Sequence, residues 1–132
     1  MKETRMSLIL QVAAGGAIGA SARYLVGAWS VRNLGTGFPW GTLAVNVVGS
    51  LLMGLAAVIV LRRPEYGLQH WGPFMMTGIL GGFTTFSAFS LETFLMVERG
   101  RFDLALTYVV VSVVLGFLAL MMPVMLMRSG SI

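Results

Sequence analysis

Four long apolar stretches, separated by short segments that gather glycine, proline and charge, account for nearly the whole chain. A bilayer core of about 30 Å takes about 20 apolar residues per helix, and the stretches fall at roughly 7–29, 40–61, 72–97 and 103–127. The pattern predicts an all-α membrane protein whose four transmembrane helices form one domain over residues 1–132. Asn33-Leu34-Gly35-Thr36-Gly37-Phe38-Pro39 reads as a turn, and Trp40 opens the next span at an interfacial position. Arg62-Arg63-Pro64-Glu65-Tyr66-Gly67 ends the second helix, and Arg99-Gly100-Arg101 closes the third.

Polar positions inside the spans are few and ordered. In the second span Asn46, Ser50 and Gly54 stand at i, i+4 and i+8 on one helix face, with Gly49 beside them. The fourth repeats the design with Tyr108, Ser112 and Gly116. The first carries Gly15, Gly16, Gly19 and Ala20, a small-xxx-small spacing that lets two backbones approach closely. In the third, the run Gly81-Gly82-Phe83-Thr84-Thr85-Phe86-Ser87-Ala88-Phe89-Ser90 stands where an ordinary membrane helix carries leucine. Gly81-Gly82 and Thr84-Thr85 predict an unwound turn in mid-membrane, with the helix restarting near Thr85 or Phe86. Lipid tolerates such backbone only where protein or a water-lined cavity surrounds it, so the break implies a partner or a pathway.

Composition agrees with the pattern: 57% of residues are hydrophobic and 11% charged, against roughly a quarter charged in a soluble domain. The formal charge of +4 comes from dispersed basic residues that read as orientation signals, so no nucleic-acid partner is expected. Lys2, Arg5, Arg62, Arg63 and Arg128 fall on one side of the membrane; Arg32, Arg99, Arg101 and, at a span end, Arg23 fall on the other. Five against four is a near-tie. It leaves open either a modest preference for termini inside or insertion in both orientations, which would make an antiparallel homodimer available. Basic residues ahead of an apolar run and Ala20-Ser21-Ala22 imitate a signal peptide, but residues 23–29 continue the helix and three further spans follow, so cleavage is not expected. Cysteine is absent, which removes disulfide and thiolate chemistry.

Candidate chemistry concentrates in these polar positions. Asn46 can donate from a neutral amide to an anion or join two helices. Ser112 and Tyr108 supply hydroxyls, although a serine in a helix commonly bonds its own i−4 carbonyl. Around the break, freed carbonyls suit a small cation and the restarted helix N-terminus suits an anion. Phe86 and Phe89 share a face, where their positive ring edges can flank an anion or simply pack. Arg23 either snorkels to the interface or faces a water-filled cavity. Glu92, the carboxylate embedded in the third span, can pair with a base or cap the hydroxyl cluster.

The combination of Gly19-Ala20-Ser21-Ala22-Arg23-Tyr24, Gly41-Thr42-Leu43-Ala44-Val45-Asn46-Val47-Val48-Gly49 and the Gly81–Ser90 run with Glu92 resembles the Fluc, or CrcB, family of small bacterial fluoride channels over the whole chain. The resemblance implies a dual-topology antiparallel homodimer in the bacterial plasma (inner) membrane, with two pores lined by both subunits. Phe86 and Phe89 match the family's pore phenylalanines and Asn46 its pore asparagine, while Tyr108 and Ser112 fall on its fourth-helix polar track. The carbonyls of Gly81 and Thr84 match those that hold a central structural Na+ at the dimer axis, and Arg23 matches an arginine near the aqueous vestibule. Where some relatives carry a second hydroxyl a turn beyond Ser112, this chain has Gly116, and Ser87 or Thr85 is the expected replacement donor. The implied activity is passive export of cytoplasmic fluoride, which confers fluoride resistance.

Two other classes compete with this reading. A proton-coupled exporter of the small multidrug-resistance type needs a titrating membrane carboxylate, and Glu92 lies toward the end of its span. A noncatalytic assembly subunit would use the small-residue faces but not the clustered hydroxyls and rings. An enzyme is not expected, because no His, Cys or carboxylate cluster exists and His70 lies near a loop.

Overall fold

The computed structural model describes residues 2–62 and 64–128; Arg63, counted above among the loop charges, lies outside them. Helix α1 (Lys2–Leu34) outlasts its apolar stretch at both ends. It stops where Gly35 turns to φ +78° and returns its N–H to the Val31 carbonyl, a left-handed ending that glycine adopts without steric cost. Pro39 and Trp40 then start α2 (Trp40–Ala56), which continues as a wider-wound π-helical segment, Ala57–Arg62. Short 3₁₀ turns at Pro64–Tyr66 and Gln69–Trp71 lead into the third span.

That span is wound in pieces: a π-helical segment Pro73–Leu80, the short α3 (Gly81–Phe83), two non-helical residues, and α4 (Phe86–Glu98). Beyond Glu98, Gly100 at φ +71° donates to the Val97 carbonyl and Arg101 N–H to that of Met96, closing the helix end before α5 (Phe102–Arg128). Four helical stretches, Thr4–Leu34, Trp40–Val60, Gln69–Glu98 and Phe102–Arg128, are long and apolar enough to cross a membrane.

α2 is the central helix. A third (33%) of its most apolar window is buried, against 6–11% in the other three spans. It packs on α5 and α1, while α1 holds the Pro73–Leu80 segment and α3 along its length. The small residues of α1 make the second contact possible. A Cβ at Gly15 would strike the Phe74 carbonyl, and one at Gly19 the Ile79 carbonyl, so the two backbones meet with no side chain between them.

One expectation is corrected here. Gly81 and Gly82 remain helical, and only Thr84 (φ −83°, ψ 158°) and Thr85 (φ −151°, ψ 121°) are extended. The physical reason is visible at Gly82, where a Cβ would lie 2.8 Å from the Gly16 carbonyl. That glycine brings α3 against α1; it does not unwind the chain. The helix restarts at Phe86, as the sequence predicts, and Thr85 caps it.

Candidate functional site

The interruption at Thr84-Thr85 is held by neighbours on both sides. The Thr84 hydroxyl donates to the Leu80 carbonyl at 2.9 Å, closing the turn that ends α3. Arg23, half-buried on α1, donates from Nε to the Gly82 carbonyl at 3.0 Å, placing a cation at the C-terminal end of this half of the span where the helix dipole favours one. Across the gap, the Thr85 hydroxyl accepts the Ala88 N–H at 3.1 Å and caps α4.

Asn46 supplies the central fixture. Its Nδ2 donates to the Thr85 carbonyl at 3.0 Å, and its Oδ1 accepts the Thr85 N–H at 2.7 Å, so both faces of one peptide residue are held by one amide. Beside it, a Cβ on Gly49 would collide with the Thr84 methyl, which seats Thr84 directly on the α2 backbone. The broken segment is therefore moulded against α2.

This clamp has a further effect on the carbonyls. In an unbroken helix the Thr85 N–H would reach the Gly81 carbonyl and the Ala88 N–H the Thr84 carbonyl. Here the first goes to Asn46 Oδ1 and the second to Thr85 Oγ1. Gly81 and Thr84, the two carbonyls expected to hold a cation, are among those that the break deprives of their helical donors.

Around the same point a cavity of about 310 Å³ gathers Asn46 and Ser50 of α2, Thr85, Phe86 and Phe89 at the start of α4, and Ser112 of α5. Three separate segments of sequence thus converge on one space. The rings of Phe86 and Phe89 lie 5.8 Å apart at 42°, tilted so that edges as well as faces are presented. Phe86 is 80% exposed although it lines the cavity, which leaves that wall open in the single chain. Ser112 Oγ is buried with no hydrogen-bond partner among the described residues, and it makes no bond to its i−4 carbonyl. A buried hydroxyl in that state has a donor to spare.

The remaining expected residues are placed differently. Tyr108 is fully buried; its ring packs 5.1 Å from Phe89 and edge-on to Phe38, and its hydroxyl donates to Glu92 Oε2 at 2.7 Å. Thr42 donates to the other carboxylate oxygen, Oε1, also at 2.7 Å. Glu92 is thus held by one hydroxyl from α2 and one from α5, and not by the hydroxyls of its own span's Gly81–Ser90 run. Its network opens toward a larger hollow of about 510 Å³, at whose rim Arg99 and Arg101 stand. Ser87 lies on the exposed first turn of α4 with its Oγ 3.4 Å from Thr85 Oγ1, outside the lining of the smaller cavity. Arg23 lines another open hollow, of about 600 Å³, together with Tyr24, Thr42 and Thr85.

Two participants escaped sequence reasoning. Thr42 stands one turn ahead of Asn46, so extending the Asn46–Ser50–Gly54 stripe backward by four residues would have found it. Phe38 was read only as turn, and no local signal marks its contact with Tyr108.

Comparison with known proteins gives a consistent result. Residues 10–124 match the family described as "CrcB-like protein, Camphor Resistance (CrcB)". A protein of Ruegeria sp. named fluoride-specific ion channel FluC is 52% identical over 121 residues, covering 91% of this chain and 94% of its own. Relatives of the same name from Cereibacter sphaeroides and Agrobacterium fabrum are 53% identical over 116 residues and 51% over 111, covering 88% and 84% of this chain and 90% and 88% of their own.

Proposed function

The chain belongs to the CrcB family, and from that premise we propose that it is a fluoride-selective channel, passively exporting cytoplasmic fluoride across the bacterial inner membrane and so conferring fluoride resistance. The observation that carries the proposal is the 310 Å³ cavity, which Ser112, its buried hydroxyl unpartnered among the described residues, lines together with Phe86 and Phe89.

The chemistry of that space suits a small, hard anion. Its donors are neutral: the Ser112 hydroxyl and the second N–H of Asn46, whose first is spent on Thr85. The first-turn N–H groups of α4 lack intrahelical acceptors, and the ring edges add a weak positive potential. No full positive charge lines the cavity to trap the ion, and several weak sites permit exit as well as entry. In this reading selectivity over chloride comes from short hydrogen bonds, which the smaller fluoride accepts more strongly. Fluoride enters a cell as the weak acid HF, dissociates at the higher internal pH, and leaves as the anion through this path.

The open wall at Phe86 supports an assembly of two chains. In this reading a second copy, inserted in the opposite orientation, closes the cavity, and the pair holds two pores lined by residues of both. Placed at mid-bilayer depth, the break at Thr84-Thr85 is then covered by the partner rather than by lipid. The Gly81 and Thr84 carbonyls fit a hard cation with oxygen ligands. Held by these carbonyls, Na+ would supply positive charge near the anion path.

A proton-coupled exporter fits less well, because Glu92 is already engaged by the Thr42 and Tyr108 hydroxyls and lies apart from the cavity lining. The test is ion efflux from vesicles containing only the purified protein, with fluoride and chloride followed separately. Fluoride release down its gradient with little chloride is the expected result. Equal chloride flux, or accumulation driven by a proton gradient, would refute it.

A further inference from the structure

Ser50 is half-buried on α2, one turn beyond Asn46, and lines the cavity opposite Ser112. Helical hydroxyls commonly return to the carbonyl four residues back, and here Ser90, Thr93 and Thr107 each do so at 2.8–2.9 Å. Ser50 makes no such bond, nor any other among the described residues. Ser50 and Ser112, each with an uncommitted hydroxyl, therefore line one space from two packed helices.

Gly116 explains how Ser50 can be reached. It lies one turn beyond Ser112 on α5, and a Cβ built there would come 3.6 Å from Ser50 Oγ. Without that carbon, the ground in front of the Ser50 hydroxyl on the α5 side stays open. A small anion accepts best from O–H donors it can approach closely. The missing side chain on α5 and the free hydroxyl on α2 are thus two halves of one arrangement.

Resting on the fluoride-channel reading, we infer that Ser50 is a second hydroxyl ligand for the permeating ion, taking it over from Ser112 across the α2–α5 seam where Gly116 leaves room. Neither Ser87 nor Thr85 is then needed to fill the place of a hydroxyl at position 116.

The experiment compares fluoride efflux from vesicles containing the full chain or its variants, with each protein's folding checked by size exclusion and thermal melting. Ser50→Ala removes one donor to an ion and is expected to slow efflux about ten-fold. Adding Gly116→Ser to Ser50→Ala returns a hydroxyl from the opposite helix at ordinary contact distance and is expected to recover most of the flux. Gly116→Ala in the same background adds equal bulk without the donor and is expected to recover none. Should Ser50→Ala fail to fold, the single variants decide: Gly116→Ala slowed and Gly116→Ser near wild type supports the assignment, and equal rates overturn it. Folded Ser50→Ala with wild-type flux, or rescue by alanine as good as by serine, overturns it as well. Wild-type vesicles that release no fluoride would overturn the channel reading itself and this inference with it, whereas unchanged Ser50→Ala beside an active wild type overturns this inference alone.

Discussion

Replacing Asn46 by alanine separates two roles that the sequence leaves together, since an amide in this position can act as a donor in the pathway or as a fastener of the backbone. The structure assigns two hydrogen bonds to the second role, at 3.0 and 2.7 Å to the carbonyl and N–H of Thr85. At a net of about 1 kcal/mol each, their loss costs about 2 kcal/mol, and stranding the Thr85 groups adds about 1 kcal/mol or more. A total of about 3 kcal/mol corresponds to a fall in melting temperature of about 10 °C for a domain of this size. The assay is thermal unfolding in detergent followed by tryptophan fluorescence, run beside fluoride efflux on the same preparation. Asn46→Asp keeps an acceptor for the Thr85 N–H, so its loss of stability is expected to be smaller than that of alanine. If Asn46→Ala melts within about 2 °C of wild type while efflux collapses, the clamp carries no weight and the amide acts only on the ion.

Two further predictions concern the residues that shape the same cavity. Gly49→Ala drives a Cβ into the Thr84 methyl and is expected to cost about 1–3 kcal/mol through overpacking; Thr84→Ser, which removes that methyl, should restore most of the melting temperature and efflux, and a double variant no better than Gly49→Ala would contradict the contact. Phe86→Ala is expected to cut efflux at least ten-fold while leaving the chain's own packing intact, because the ring is 80% exposed in the single chain. Phe89→Ala should also lose stability, since its ring packs on Tyr108 at 5.1 Å; cross-linking then shows whether either variant still pairs, and loss of pairing with normal flux per pair would reassign the rings to packing.

The four spans were legible because each apolar stretch is long enough to declare itself, and the polar stripes because a period near four survives in the sequence whatever the partner. Period finds faces; it does not find partners. The bonds that define the site join Asn46 to Thr85, Thr42 to Glu92 and Arg23 to Gly82, separated by 39, 50 and 59 positions. Nothing local specifies such pairs. Gly82 shows the limit from the other side: the absence of a side chain is plain, but whether it serves unwinding or close approach depends on Gly16 in another helix. Tyr108 and Ser112 were read as one polar track, yet one is engaged by Glu92 and the other is free. The choice between them is made by α4 and α2, which the fourth span's own sequence does not describe.

The Asn46 clamp also bears on how this protein is assembled in the membrane. A continuous helix satisfies its own backbone and can enter lipid as an independent unit, but the third span leaves the Thr85 N–H and C=O to be met by another helix. The chain order supplies that helix in advance, since α2 emerges from the ribosome before the broken segment does. Insertion of the third span is thereby a docking event onto a helix already in place. A fragment lacking α2 would be left with the Thr85 N–H and C=O without the amide that pairs them.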